Sequence, residues 1–323
     1  MFLFFGCSSK EVFEPKNVAV EWKALKESDT KIIDKTAEIA ELEDGRVLVK
    51  NQELNVTIAP DFRVIGKNGD YILSTNIDGD LYLHNIDTNT TKKLELKKTI
   101  AAASTDGDVV AVVFASGKLA LYKLLSGKLL LKLEGGTSIA LDARIVNPYF
   151  MNDLVLFLTL DGKIVIVNKT LKKRLRTIIV SANEYFNNVI YFDILQERLI
   201  VATGTKILSF GRSQKRVELE ARNITHDKDH LYVATKQGDI IELSSDLDIK
   251  RKVHFPFAHF LGLKIYKGVL YALEKEGYII KLSKDLLTYK IYEVDIPDDG
   301  YVYSGNDRFF VGDRVVFLDE LSK

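Results

Sequence analysis

Cysteine is almost missing from this chain. Cys7 is the only one in 323 residues, so no internal disulfide can form. A zinc site needs three or four ligands; the five histidines are scattered, no HExxH occurs, and no second cysteine helps them. Charge of one sign is also lacking: 45 Lys and Arg balance 45 Asp and Glu. A nucleic-acid binder usually shows a basic excess or stripe; neither is visible along the sequence, and no nucleic-acid partner is expected. No run of about 18 apolar residues exists, so nothing reads as a transmembrane helix. Long stretches of helical periodicity are absent as well. So are GxGxxG, GxxxxGKS and GxSxG, which leaves no phosphate cradle and no triad grammar. The chain is read as non-enzymatic, with no cofactor, no metal and no catalytic residue.

What is present is a repeat. "DYILSTNIDGDLYLHNIDTNTTKKLEL", "DVVAVVFASGKLALYKLLSGKLLLKL" and "DHLYVATKQGDIIELSSDLDIKRKV" show the same order of apolar run, glycine turn, apolar run, polar turn and third run. Aligning the first turn of every unit gives Gly45, Gly79, Gly117, Gly162, Gly204, Gly238, Gly277 and Gly312, at spacings of 34, 38, 45, 42, 34, 39 and 35 residues. Periods of this size mark repeat architectures. Glycine reaches positive φ without steric cost and so marks hairpin turns. A fainter strand precedes each unit, as in "TIAAAST" before Asp108 and "NVIYFDI" before Glu197. Four strands per unit of about 40 residues is the blade of a β-propeller.

The fold class is therefore all-β: an eight-bladed β-propeller of four-stranded antiparallel blades, over residues 18–323. The eighth unit stops after "RVVFLDE" and lacks its outermost strand. "NVAVEWKAL", near the N-terminus, is expected to supply it and lock the ring, removing free sheet edges. Trp22 then falls in the joined blade as a packing aromatic.

Several local patterns read as structure. Asn76-Ile77-Asp78-Gly79-Asp80 lacks the twelfth-position acid of a calcium loop and fits turn chemistry. Asp298-Asp299 sits in a Pro-Asp-Asp-Gly turn. His226 and His230 flank "DKD" in an expected loop. Lys172-Lys173-Arg174-Leu175-Arg176 is the densest basic run and is read as a solvated strand edge.

The opening MFLFFGCSSK resembles the end of a bacterial lipoprotein signal peptide, in which a short apolar segment and a small residue precede an acylated cysteine. Gly6 and Cys7 match; Phe5 departs from the usual small or β-branched residue. Residues 1–7 are too short for a whole leader, so its charged start is expected upstream of Met1. The resemblance implies lipidation at Cys7, a polar tether over 8–17, and an address on the periplasmic face of the outer membrane.

Anchor, tether and ring together resemble the BamB-type lipoprotein, an accessory of the outer-membrane β-barrel assembly machine, whose blades carry PQQ-like repeats. Ser126-Gly127-Lys128-Leu129-Leu130-Leu131-Lys132 is the clearest match to that repeat. The resemblance implies a monomeric scaffold within a complex, contacting the periplasmic domains of a BamA-like barrel assembly protein. The family's contact loop has an apolar-x-apolar-Arg pattern before a proline. Ile139 and Leu141 match it, Asp142 replaces the arginine, Arg144 is displaced and Pro148 follows. For Ile139 and Leu141 the competing reading is burial in the first strand of a blade. A second family patch, with two aspartates, falls near Asn187-Asn188, where its charge is lost. Other readings stay open: a ligand-sensing or adhesion propeller, and a PQQ-dependent dehydrogenase. The dehydrogenase site would need a tryptophan floor, vicinal cysteines and a carboxylate cluster, all missing here.

Two triplets, Glu53-Leu54-Asn55-Val56-Thr57 and Asp87-Thr88-Asn89-Thr90-Thr91, resemble the bacterial N-glycosylation sequon, with an acid two residues before the asparagine. Asn89 is expected in a polar turn and Asn55 in a strand.

Overall fold

The structure is a computed structural model and describes residues 11–319. Its described residues contain strands and turns and no helix. Eight four-stranded antiparallel sheets follow one another as blades. Seven are continuous, over 32–54, 63–95, 100–133, 149–179, 191–218, 221–254 and 260–293. In the eighth, three strands within 302–317 are completed by Leu25–Glu27 from the other end of the chain. Leu25 pairs with Val316, Lys26 with Val315 and Glu27 with Arg314.

The third blade shows why these sequences form blades. Its second strand, Val109–Phe114, is apolar throughout. Successive side chains of a strand point to opposite faces. Val110 and Val112 thus enter a core shared with Leu73, Leu81 and Leu83 of the second blade. Ala111 and Val113 enter another, shared with Val155, Phe157 and Val167 of the fourth. A sheet buried on both faces has no polar side to alternate with, which is why the middle strands read as unbroken apolar runs.

The eight aligned glycines all lie in the turn between second and third strands. Seven have positive φ; Gly204 does not. At Gly117 φ is +82°, and a Cβ would stand 2.2 Å from the Gly136 carbonyl oxygen. At Gly79 φ is +87°, and a Cβ would stand 2.3 Å from the Lys98 backbone. In both cases the chain leaving the outer strand passes directly over the turn. At Gly79, Gly162, Gly238 and Gly277 the glycine carbonyl also accepts a backbone N–H from that outgoing chain. The repeat glycine therefore marks where each blade hands over to the next.

The ring closes as expected, but with a shorter and later strand. "NVAVEWKAL" does not itself fill the eighth blade. Its first part runs beside the outer strand of the seventh, with Ala19 N–H donating to Ile291 O and Trp22 N–H to Glu293 O. The Ala24 carbonyl then accepts from Phe317 N–H of the eighth, and strand pairing with that blade starts at Leu25. Trp22 is buried between these two blades with Tyr271, Leu273, Phe309 and Val316. Within the described part of the segment read as a tether, Phe13 is buried against Phe255 and Tyr278.

Candidate functional site

Two connections between blades are brought together on the glycine-turn side. One, 134–148, joins the third blade to the fourth; the other, 180–190, joins the fourth to the fifth. Their backbones zip in parallel through an Ala140–Tyr185 bridge. Ile139 N–H donates to Glu184 O at 2.9 Å, and Phe186 N–H donates to Ala140 O at 2.8 Å.

Asn187 and Asn188 hold this zipper from below, and both are buried. Asn188 accepts from Asp142 N–H at 2.8 Å and donates to Asp142 O at 3.0 Å. Asn187 donates to Asp161 O and Ser181 O. An asparagine amide offers donors and an acceptor in one plane and can replace a backbone pair; an aspartate there could not donate. The pair, where the sequence reading found the charge of a second patch lost, is an internal strut.

Above the strut stand three large apolar side chains. Ile139 is 70% exposed, Tyr185 53% and Phe186 47%. Leu141 turns inward and packs against the core shared by the third and fourth blades. Burial of Ile139 and Leu141 in a blade strand does not occur, because the first strand of the fourth blade begins only at Tyr149. Phe186 has φ +50°, a left-handed conformation that costs a non-glycine residue about 1–2 kcal/mol. A groove beside the patch is lined by Leu141, Asp142, Glu184, Phe186, Glu220 and Lys236. The last two form an ion pair at 3.6 Å.

Arg144 faces inward, away from this patch. Its guanidinium grips Asp142 with Nε–Oδ1 at 2.8 Å and Nη2–Oδ2 at 2.5 Å. It also donates to the carbonyls of Ala221 and Arg222 on the inner strand of the sixth blade. Burial works to raise the Asp142 carboxyl, but hydrogen bonds and charge from Arg144 hold it below the usual carboxylate range. Desolvation and the nearby Arg144 lower Lys35, on the inner strand of the first blade, to about 8. Asn147 in the same connection donates to Ile65 O of the second blade and accepts from Ala103 N–H of the third. The 134–148 connection is therefore tied to the second, third and sixth blades and to the next connection. Arg144 is thus held by structural partners and does not join the exposed patch.

Cys7 lies outside the described residues. Asn89 is exposed in its turn, with φ +52°. Asn55 is exposed too, but just beyond the strand Gln52–Leu54 and not within it. The Asn76–Asp80 segment is a turn, in which Asp80 N–H donates to Asn76 Oδ1 at 2.9 Å. His226 ends one strand and His230 starts the next, so only 227–229 form the expected loop. The two rings diverge, His226 toward Asp193 and His230 toward Glu242. Sequence reasoning missed Tyr185 and Phe186. The available signal was a pair of adjacent aromatics inside the polar "NEYFNN" linker.

No protein-family profile matches the chain. Two curated proteins are similar to it, both named plasminogen-binding protein PgbB, from Helicobacter pylori strains J99 and 26695. They are 30% and 29% identical over 231 residues, covering 70% of this chain and 42% of each relative. The chain thus spans less than half the length of the curated relatives it matches. Among solved structures, BamB from Moraxella catarrhalis superposes with a TM-score of 0.69 at 15% identity, covering 91% of this chain and all of that one. The C-terminal WD40 domain of Sif2 gives 0.63 at 14% identity, covering 93% and 99%. These likenesses are to the fold.

Proposed function

We propose that the chain is a non-enzymatic, protein-binding propeller, carried as a lipoprotein on the periplasmic face of the outer membrane, where it assists barrel assembly as BamB-type proteins do. One observation carries this reading: Ile139, Tyr185 and Phe186 are exposed together on loops whose backbones are locked by buried asparagines. Contiguous apolar side chains facing water mark interaction sites. Aromatic anchors held rigidly lose little entropy on docking. The likeness to BamB supports the assembly reading, with the periplasmic domains of a BamA-like protein as the partner. A second reading, an adhesion propeller that captures a host protein, is favoured by the name of the Helicobacter relatives. Under it the same patch meets plasminogen.

The test is photo-crosslinking from position 139 in solubilised outer membranes, repeated with added plasminogen. Crosslinks to the barrel assembly protein are expected. Crosslinks to plasminogen instead select the second reading. Equal capture when the same crosslinker sits in a Tyr185→Asp, Phe186→Gly double variant would remove the patch from either.

A further inference from the structure

The neutral total hides a segregation of charge. The outermost strands of the fourth, fifth and sixth blades are Lys173–Ile179, Gln214–Glu218 and Ile249–His254. Together they carry eight Lys and Arg and a single acid, Glu218. In sequence these groups lie tens of residues apart, so no stripe is seen; the ring sets them side by side on one wall. The side chains of Lys172, Lys173, Arg174 and Lys250 make no ion pair or hydrogen bond among the described residues. Others are engaged, as Lys215 is with Asp248 and Lys252 with Asp239.

Protection of exposed strand edges explains charge there, but either sign would keep a second sheet away. It does not explain eight cations against one acid over three consecutive outer strands in a chain with equal numbers of both. The outer strand of the first blade, Gln52–Leu54, has Glu53 and no cation.

The N-terminal segment comes out beside this wall. Phe13 packs edge-on against Phe255, with ring centroids 6.1 Å apart, and Phe255 directly follows the outer strand of the sixth blade. Glu11 and His254 line the same groove. In the sequence Cys7 stands four positions before Glu11.

We infer that the outer wall of the fourth to sixth blades is a docking surface for an anionic lipid bilayer, acting with an acyl chain at Cys7 as the second of two membrane signals. A single acyl chain binds a membrane marginally, and a polybasic patch beside it makes the attachment stable. Unpaired surface cations are the groups drawn to anionic headgroups, and the attraction is screened within a Debye length. The ring would then rest on its side, with the loops at 139 and 185 turned along the membrane. The inference uses the lipidation reading only for the anchor; the wall can be tested without it.

The experiment uses the full chain as Cys7→Ser, which cannot be acylated. It is sedimented with phosphatidylcholine vesicles, alone or with about a third phosphatidylglycerol. Binding at least about tenfold tighter to the anionic vesicles, lost near 0.5 M salt, is expected. Lys172→Glu, Lys173→Glu, Arg174→Glu and Lys250→Glu together should abolish the difference while leaving the thermal transition in place. Lys97→Glu, between the second and third blades, with Lys128→Glu, on the third, should retain it. Equal binding to both vesicles, an unchanged fourfold variant, or preference for a soluble acidic polysaccharide over the anionic vesicles would overturn the inference. Mass spectrometry of the native N-terminus tests the anchor separately.

Discussion

Trp22 and Phe317 are 295 positions apart and meet in one hydrogen bond, from the indole N–H to the Phe317 carbonyl at 2.9 Å. The indole also packs edge-on against Tyr271 and Tyr292. This residue joins the seventh blade, the closing strand and the end of the chain. Trp22→Ala should cost about 3–5 kcal/mol, as for other large aromatic deletions in cores. Trp22→Phe should retain most of the packing and lose about 1 kcal/mol with the hydrogen bond. Urea unfolding of both variants checks this; wild-type stability in Trp22→Ala would mean the joint bears no stabilising contact.

Glycines at the handover turns should be far less replaceable than glycines elsewhere. Gly117→Ala meets positive φ and a carbonyl oxygen 2.2 Å from the new Cβ, and should cost about 2–4 kcal/mol. Gly107 also has positive φ, +57°, but nothing lies within 4 Å of its Cβ position. Gly107→Ala should therefore cost only about 1 kcal/mol. Thermal melts of the pair separate close approach from conformation.

His226 and Asp193 link the inner strands of the sixth and fifth blades at 2.8 Å. The hydrogen bond that the imidazole donates to Asp193 raises the histidine above its ordinary value. Burial works to raise the Asp193 carboxyl, but its hydrogen bond with His226 outweighs this and lowers it. A raised folded value means the histidine's contribution is complete below about pH 6.5, the unfolded value, and fades as pH climbs through the folded one. The aspartate's contribution is present above about pH 3.9 and fades as pH falls through its lowered value. The melting temperature of the wild type should thus drop relative to His226→Gln as pH rises from about 6.5. Parallel curves for the two proteins would show that the pair does not form.

Phe186→Gly should separate stability from binding. It relieves the φ +50° backbone, a gain of about 1 kcal/mol offset in part by the greater freedom of the unfolded glycine. The melting temperature should stay within a few degrees of wild type while partner capture falls at least about tenfold, the loss typical of a hot-spot aromatic. A variant that unfolds would make Phe186 a packing residue instead.

The ring was legible from the sequence because its signals recur. Eight glycines at spacings near 40 gave the blade count. The apolar runs flanking them gave the buried strands, since each is packed on both faces. The closing strand was expected over 17–25 and lies at Leu25–Glu27, in part because "NVAVEW" has strand composition; it uses that composition against the seventh blade. The candidate site was only half visible. Ile139 declared itself as an apolar residue in a linker, but its neighbours on the patch come from another linker more than 40 residues on. Nothing local distinguishes Asn187 and Asn188 as struts from two surface amides. Their role exists only once Asp142 lies across them.

The pairing of Leu25–Glu27 with Arg314–Phe317 also imposes an order on biogenesis. The piece that completes the final sheet is made before the other three strands of that sheet and must wait until residues 302–317 have emerged. Until then the early piece has no partner. Contacts this distant along the chain slow folding, because a very large loop must close before they yield any energy. A nascent or prematurely truncated copy therefore exposes the strand edge that the finished molecule covers, and its successful production depends on whatever shields that edge in the interval.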